Sequence, residues 1–153
     1  MNINEIADKM AKKFGVDGLE SKNGALEIEI DGAFVRIEET AGDVFIVYGL
    51  VGEHPSNGGE EFAKLALKAN MALMNSEDSA LAQHPESNAY LLIERVPISK
   101  TADFEEFCEC LGKFVDTLES WREMLKVYKP VQAAAAENEA EGIEALRRGL
   151  MLV

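Results

Sequence analysis

The stretch that most restricts the fold is residues 25–39, ALEIEIDGAFVRIEE. Its apolar period is two: Leu26, Ile28 and Ile30 alternate with Glu27, Glu29 and Asp31, as a strand with one wet face requires. Asp31-Gly32 then supplies a two-residue turn with positive φ at both positions, the strongest short hairpin signal. Once that turn is set the register follows. Ile30 faces Ala33, Ile28 faces Val35 and Leu26 faces Ile37 on one side, while Glu27 pairs with Arg36 on the other. The chain must therefore contain an antiparallel hairpin whose apolar face something else covers.

A second turn near residues 40–43 leads into VFIVYGL at 44–50. Here Val44, Ile46, Tyr48 and Leu50 are expected to continue the buried face, which leaves Phe45 and Val47 on the wet face with Phe34. Three large apolar groups on a wet face form either a second packing surface or a docking patch. Residues 79–84 suit a short strand, 85–88 a turn, and 89–96 a longer strand ending at Pro97. In the longer strand Tyr90, Leu92 and Val96 share one side and Leu91 and Ile93 the other, so it should be central or covered twice.

Three helices surround these strands. In residues 2–14, Ile3, Ile6, Ala7, Met10, Ala11 and Phe14 recur at one-face spacing, Asn2 with Glu5 makes a capping box, and Gly15 supplies a left-handed stop. Asp103 with Glu106 opens a long helix whose stripe runs from Phe104 through Phe107, Leu111, Phe114, Leu118 and Trp121 to Leu125. Gly112 inside it costs about 1 kcal/mol relative to alanine, which suggests close approach by another backbone.

The helix at 62–74, FAKLALKANMALM, is the anomaly. Phe62, Leu65, Ala66, Ala69, Ala72 and Leu73 form one stripe, and Ala63, Leu67, Met71 and Met74 widen the apolar arc to about 260°. Only Lys64 and Lys68, with Asn70 on the far side, are clearly polar. Such a helix is either wholly buried or covered once by its own domain and again by another subunit. Since the first and last helices already supply stripes for the sheet, the subunit interface is the favoured reading.

Chemistry is scarce. His54 and His84 each precede proline in loop-like settings, Cys108-Glu-Cys110 lacks zinc spacing, and Gly58-Gly59 is followed by no phosphate-binding lysine. The two cysteines, two apart on a helix, point about 160° apart and are expected to be free. No catalytic residue, metal or cofactor is implied, and the chemistry is that of binding. A net charge of −13 disfavours nucleic acid and anionic membrane surfaces. No signal-peptide core and no run of ~18 apolar residues occurs, so a cytoplasmic protein without membrane insertion is expected.

The order of elements, with the Phe14-Gly15 helix end, the strands LEIEIDGAFVRIEE and VFIVYGL, the helix FAKLALKANMALM after a Gly-rich loop, NAYLLIERVP and FEEFCECLGKFVDTLESWREML, resembles the class I type III secretion chaperones, the Tir chaperone (CesT) family. The resemblance spans residues 3–127. It implies an α+β fold, α-β-β-β-α-β-β-α, with an antiparallel twisted sheet packed by helices, in a homodimer that binds the non-globular N-terminal segment of a secreted effector. By the resemblance, the dimer interface would use Phe62, Leu65, Ala66, Ala69, Leu73 and Leu81. The effector would lie over Met10, Phe14, Phe34, Phe45 and Val47. The alternative is a homodimeric adaptor or regulatory module of similar fold with no secretion role. Residues 1–129 make the chaperone-like domain. Residues 130–153 make a spacer and a weak amphipathic tail carrying Ile143, Leu146 and Leu150, longer than the family pattern needs.

Overall fold

A computed structural model describes residues 1–76, 78–101, 103–128, 143, 144 and 147. Helix α1 (Ile3–Phe14) precedes a meander of β1 (Ala25–Ile30), β2 (Ala33–Thr40) and β3 (Val44–Gly52). Then come α2 (Gly59–Ser76), β4 (Ser79–Gln83), β5 (Tyr90–Pro97), a short 3-10 turn (Ile98–Thr101) and α3 (Phe104–Tyr128). The five strands form one antiparallel sheet in the order β1-β2-β3-β5-β4. This is the α+β arrangement expected from the order of apolar periods.

Local chemistry explains the element ends. The Asn2 side chain accepts from the Glu5 amide at 3.0 Å while the Glu5 carboxylate accepts from the Asn2 amide at 3.1 Å, so two orphan donors of α1 are satisfied. Gly15 closes that helix at φ 64°. Asp31 and Gly32 both sit in the left-handed region, and the hairpin register is Leu26 to Ile37, Ile28 to Val35 and Ile30 to Ala33, as the alternation demanded. Asp103 Oδ1 accepts from the Glu105 amide at the start of α3.

β3 departs from expectation. The second turn is closed by Thr40 opposite Val44, with only residues 41–43 between them, so Glu39 faces Phe45 and Ile37 faces Val47. A loop of 40–43 would have set Ile46 opposite Ile37. The difference of one residue turns the strand over. Phe45 and Val47 are therefore 0% and 1% exposed in the main core, and the Phe45 ring meets Phe107 of α3 edge-on at 6.0 Å. They are not on a wet face and cannot form an effector-binding patch there. Phe34 lies on the opposite face, with Leu50 and Leu91.

α1 and α3 cover one face of the sheet, burying Ile3, Ile6, Met10, Phe107, Phe114 and Leu118 against Leu26, Val35, Ile37, Val47 and Leu92. Lys13 bridges to Glu105 at 2.6 Å and ties the end of α1 to the start of α3. That hydrogen bond also raises the Lys13 pKa. α2 lies against the edge strand β4, with Phe62 and Ala66 inward.

Two glycines have roles opposite to those their settings suggest. Gly112 meets nothing within 4 Å, so no backbone approaches it. Gly49, in β3, would place a Cβ at 2.5 Å and 2.9 Å from the Leu118 methyls and 3.1 Å from Phe114. Close packing of α3 on β3 depends on that missing side chain. Gly49→Ala should therefore lower stability by about 1–3 kcal/mol through overpacking, whereas Gly112→Ala should raise it by about 1 kcal/mol through helix propensity. Urea unfolding of the two variants checks both signs.

Candidate functional site

Three surfaces emerge from this frame. The first is on α2. Its inner side is set by contact with β4, so Phe62, Ala66 and Leu81 are 0%, 5% and 5% exposed within one subunit and are core rather than interface residues. Leu65, Ala69 and Leu73 are half-buried. The apolar side that faces water is another stripe, Leu67, Met71 and Met74, spaced i, i+4, i+7 and 73%, 77% and 56% exposed. These three were part of the wide arc, but the arc alone did not show which portion the sheet takes.

Asn70 decides that orientation. Its Oδ1 accepts from the Leu81 amide at 2.7 Å and its Nδ2 donates to the Leu81 carbonyl at 2.9 Å. A single side chain thereby replaces a neighbouring strand at the middle of edge strand β4, which blunts that edge against further pairing. Asn70 is thus not on the far side of the helix. In a greasy helix, a lone amide among apolar neighbours was the available signal.

The second surface is the end of α1. Phe14 is 55% exposed and Val16 42%, while Met10, one turn earlier, is 1% exposed and lies in the core beneath the helix. Of the two α1 residues expected to touch a client, only Phe14 is accessible. Lys9 and Lys13 stand 5.8 Å and 5.6 Å from the centre of the Phe104 ring beside it.

The third is the sheet face away from α1 and α3. Phe34, Leu50, Ala89 and Leu91 form a small cluster there, with Ile93 and Ile143 against it. Around them runs an ionic chain. Arg36 donates through Nε to Glu38 and through a terminal nitrogen to Glu27, both at 2.7 Å. The second oxygen of Glu27 accepts from Arg147 at 2.8 Å. Arg147 also stands over the Phe34 ring, 5.6 Å from its centre. The hydrogen bond to Glu27 raises the Arg147 pKa, and burial followed by the nearby Glu38 pushes the Tyr48 phenol on this face up to about 12. Beside the ionic chain opens a cavity of about 680 Å³, lined by loop residues 18–20 and 22–24 together with Ala25, Glu27, Arg36, Glu38, Glu39 and Arg147. Leu146 and Leu150, which share the helical spacing of Ile143, lie outside the described residues.

Elsewhere the side chains offer little chemistry. Cys108 and Cys110 are free thiols, and burial raises the Cys108 pKa. His54 Nδ1 is 2.9 Å from the Tyr90 hydroxyl, and His84 Nδ1 accepts from the Glu86 and Ser87 amides, so both histidines brace loops. Among the described residues no helix is long and apolar enough to cross a membrane.

Comparison with family models matches residues 5–122 to the Tir chaperone protein (CesT) family. The chain belongs to that family. The matched span runs from the first turn of α1 into α3 and leaves the C-terminal segment outside it. No similar curated protein is found. Several solved structures share the fold. The crystal structure of the ExsC–ExsE complex is similar with a TM-score of 0.69 and 16% identity, covering 82% of this chain and 97% of the other. The HopA1–SchA chaperone–effector complex gives 0.65 at 14% identity, covering 78% and 91%. The Yersinia pestis type III secretion chaperone SycH, solved with a fragment of YscM2, gives 0.58 at 17% identity, covering 77% and 98%. At such identities the likeness is one of fold, and the CesT fold is what this chain has.

Proposed function

We propose that this protein is a type III secretion chaperone that holds the non-globular N-terminal segment of an effector in an export-competent state, acting as a cytoplasmic homodimer. The observation that carries this reading is the CesT family match over residues 5–122, in a chain whose fold is shared with solved complexes of such chaperones. Solved structures of the same fold include a chaperone–effector complex, which supports a bound effector here. No observation favours an adaptor without a secretion role. The mechanism is one of burial rather than catalysis. An extended client gains about 25 cal/mol per Å² of apolar surface covered, before its ordering cost, and strand-like contacts satisfy its backbone. Negative net charge keeps a protein with exposed apolar strips soluble and favours a basic client.

Within this reading the α1 end, Phe14 with Val16, is client-facing, and the Leu67, Met71 and Met74 stripe with the outward parts of Leu65, Ala69 and Leu73 is the dimer contact. Coexpression with the products of neighbouring genes tests the reading. The expected result is copurification through a protease-protected client segment of roughly 50–100 residues. Phe14→Asp, at a surface position, should weaken capture at least tenfold without lowering the melting temperature. Binding only to folded partners, or no client among those products, overturns the proposal.

A further inference from the structure

The outer face of the sheet is a place where an apolar surface should be bare, because among the described residues no side chain of α1, α2 or α3 belongs to its apolar cluster. Yet Phe34 is 7% exposed, Leu50 1% and Leu91 4%. Ile93 of β5 lies against them from within the sheet, and the other described groups against them come from beyond the matched span. Ile143 packs on the apolar cluster, and Arg147, four residues on and likewise helical, places its guanidinium over the Phe34 ring and on Glu27. The two contacts are complementary in kind: one branched apolar side chain on a small apolar floor, and one cation one helical turn later on a carboxylate already shared with Arg36.

We propose that this face is a regulated docking site whose resident occupant is the chain's own segment around Ile143 and Arg147, and that a client segment presenting an apolar residue and a basic residue one helical turn apart displaces it. Because the occupant belongs to the same chain, its docking is intramolecular and needs no partner from solution. It therefore hides the patch until a partner of matching chemistry competes. The ion pair is partly in water, with the Arg147 and Glu27 side chains 44% and 28% exposed, and such a solvent-screened contact is exchangeable. The identity of the competitor as a client rests on the chaperone reading; the docking of the segment does not.

A fluorescent synthetic peptide of residues 138–153 is the probe, titrated by anisotropy into the full-length protein. The wild type should bind it weakly, because the site is filled in cis. The full-length variant carrying Ile143→Asp and Arg147→Glu should bind it at least tenfold more tightly, and Arg147→Glu alone, a surface change, should show the same direction. Peptide carrying Arg147→Glu should bind the opened variant at least tenfold more weakly than the native peptide. Equal binding of the native peptide to wild type and opened variants, or none to either, overturns the docking site. Light scattering must show the same mass for wild type and opened variant; a drop in mass would make the segment an arm swapped between subunits and overturn docking in cis. Added client segment should release the peptide from the opened variant. Simultaneous binding of both overturns the displacement and leaves the chaperone reading intact, whereas failure to capture any client defeats that reading while the peptide titrations still decide the docking.

Discussion

Met71→Glu is expected to turn a dimer into folded monomers. Met71 stands at the centre of the Leu67, Met71 and Met74 stripe and is 77% exposed, so in an isolated subunit a glutamate there simply meets water. In a two-fold dimer the same patch faces its own copy, and each side chain is counted twice. Burying a leucine or methionine side chain contributes about 1.5–3 kcal/mol, so the six side chains of a paired stripe supply on the order of 10 kcal/mol against an association cost of similar size. Two unpaired carboxylates at the centre reverse that balance. Sedimentation or light scattering over a concentration series should show the dissociation constant rising at least about 100-fold, which corresponds to roughly 3 kcal/mol. Circular dichroism and the monomer's unfolding curve should be unchanged. A wild type that is monomeric at tens of micromolar, or a variant that remains dimeric, removes α2 from the interface.

Phe62→Ala should do the opposite: leave assembly to be judged only after the subunit has been badly weakened. Phe62 is 0% exposed and its ring is surrounded edge-on by Tyr90 at 4.7 Å, Tyr128 at 5.6 Å and Trp121 at 6.1 Å. Removing it deletes the hub that joins α2 to β5 and to the last turns of α3. A buried phenylalanine cut to alanine costs about 3–5 kcal/mol, a large part of the 5–15 kcal/mol that holds a domain folded. Chemical denaturation should show the midpoint falling by the corresponding amount, and emission from Trp121, the single tryptophan, should shift to longer wavelength as its neighbouring ring is lost. Were Phe62 an interface residue, mass would fall while subunit stability held. The pair of variants thus separates the two sides of one helix.

That separation was out of reach before the tertiary contacts were known. An apolar arc of about 260° states that α2 is covered more than once, but a helix greasy on most sides has no preferred inner direction. The direction comes from β4: Asn70 must reach both backbone groups of Leu81, and this turns Phe62 and Ala66 inward and Leu67, Met71 and Met74 outward. β3 failed for a related reason. VFIVYGLV has apolar groups at both parities, so its own pattern cannot choose a face, and the choice passes to the length of the preceding turn. With three loop residues instead of four, Phe45 and Val47 enter the core and Phe34 is left without them.

Where polar and apolar positions alternate strictly, or where a cap or turn residue has one physical use, the chain by itself determined the outcome. The Asp31-Gly32 hairpin and its register, the Asn2 and Glu5 box, the Gly15 stop and the long α3 stripe are of this kind, and together they were enough for the element order and the CesT likeness. The tertiary structure alone decided which side of α2 is free, which face of β3 is buried, and that Ile143 and Arg147 come to rest on Phe34 and Glu27. The first and the last depend on contacts between separate elements and the second on the exact length of one turn, and a local period carries no information about either when both of its faces are equally apolar.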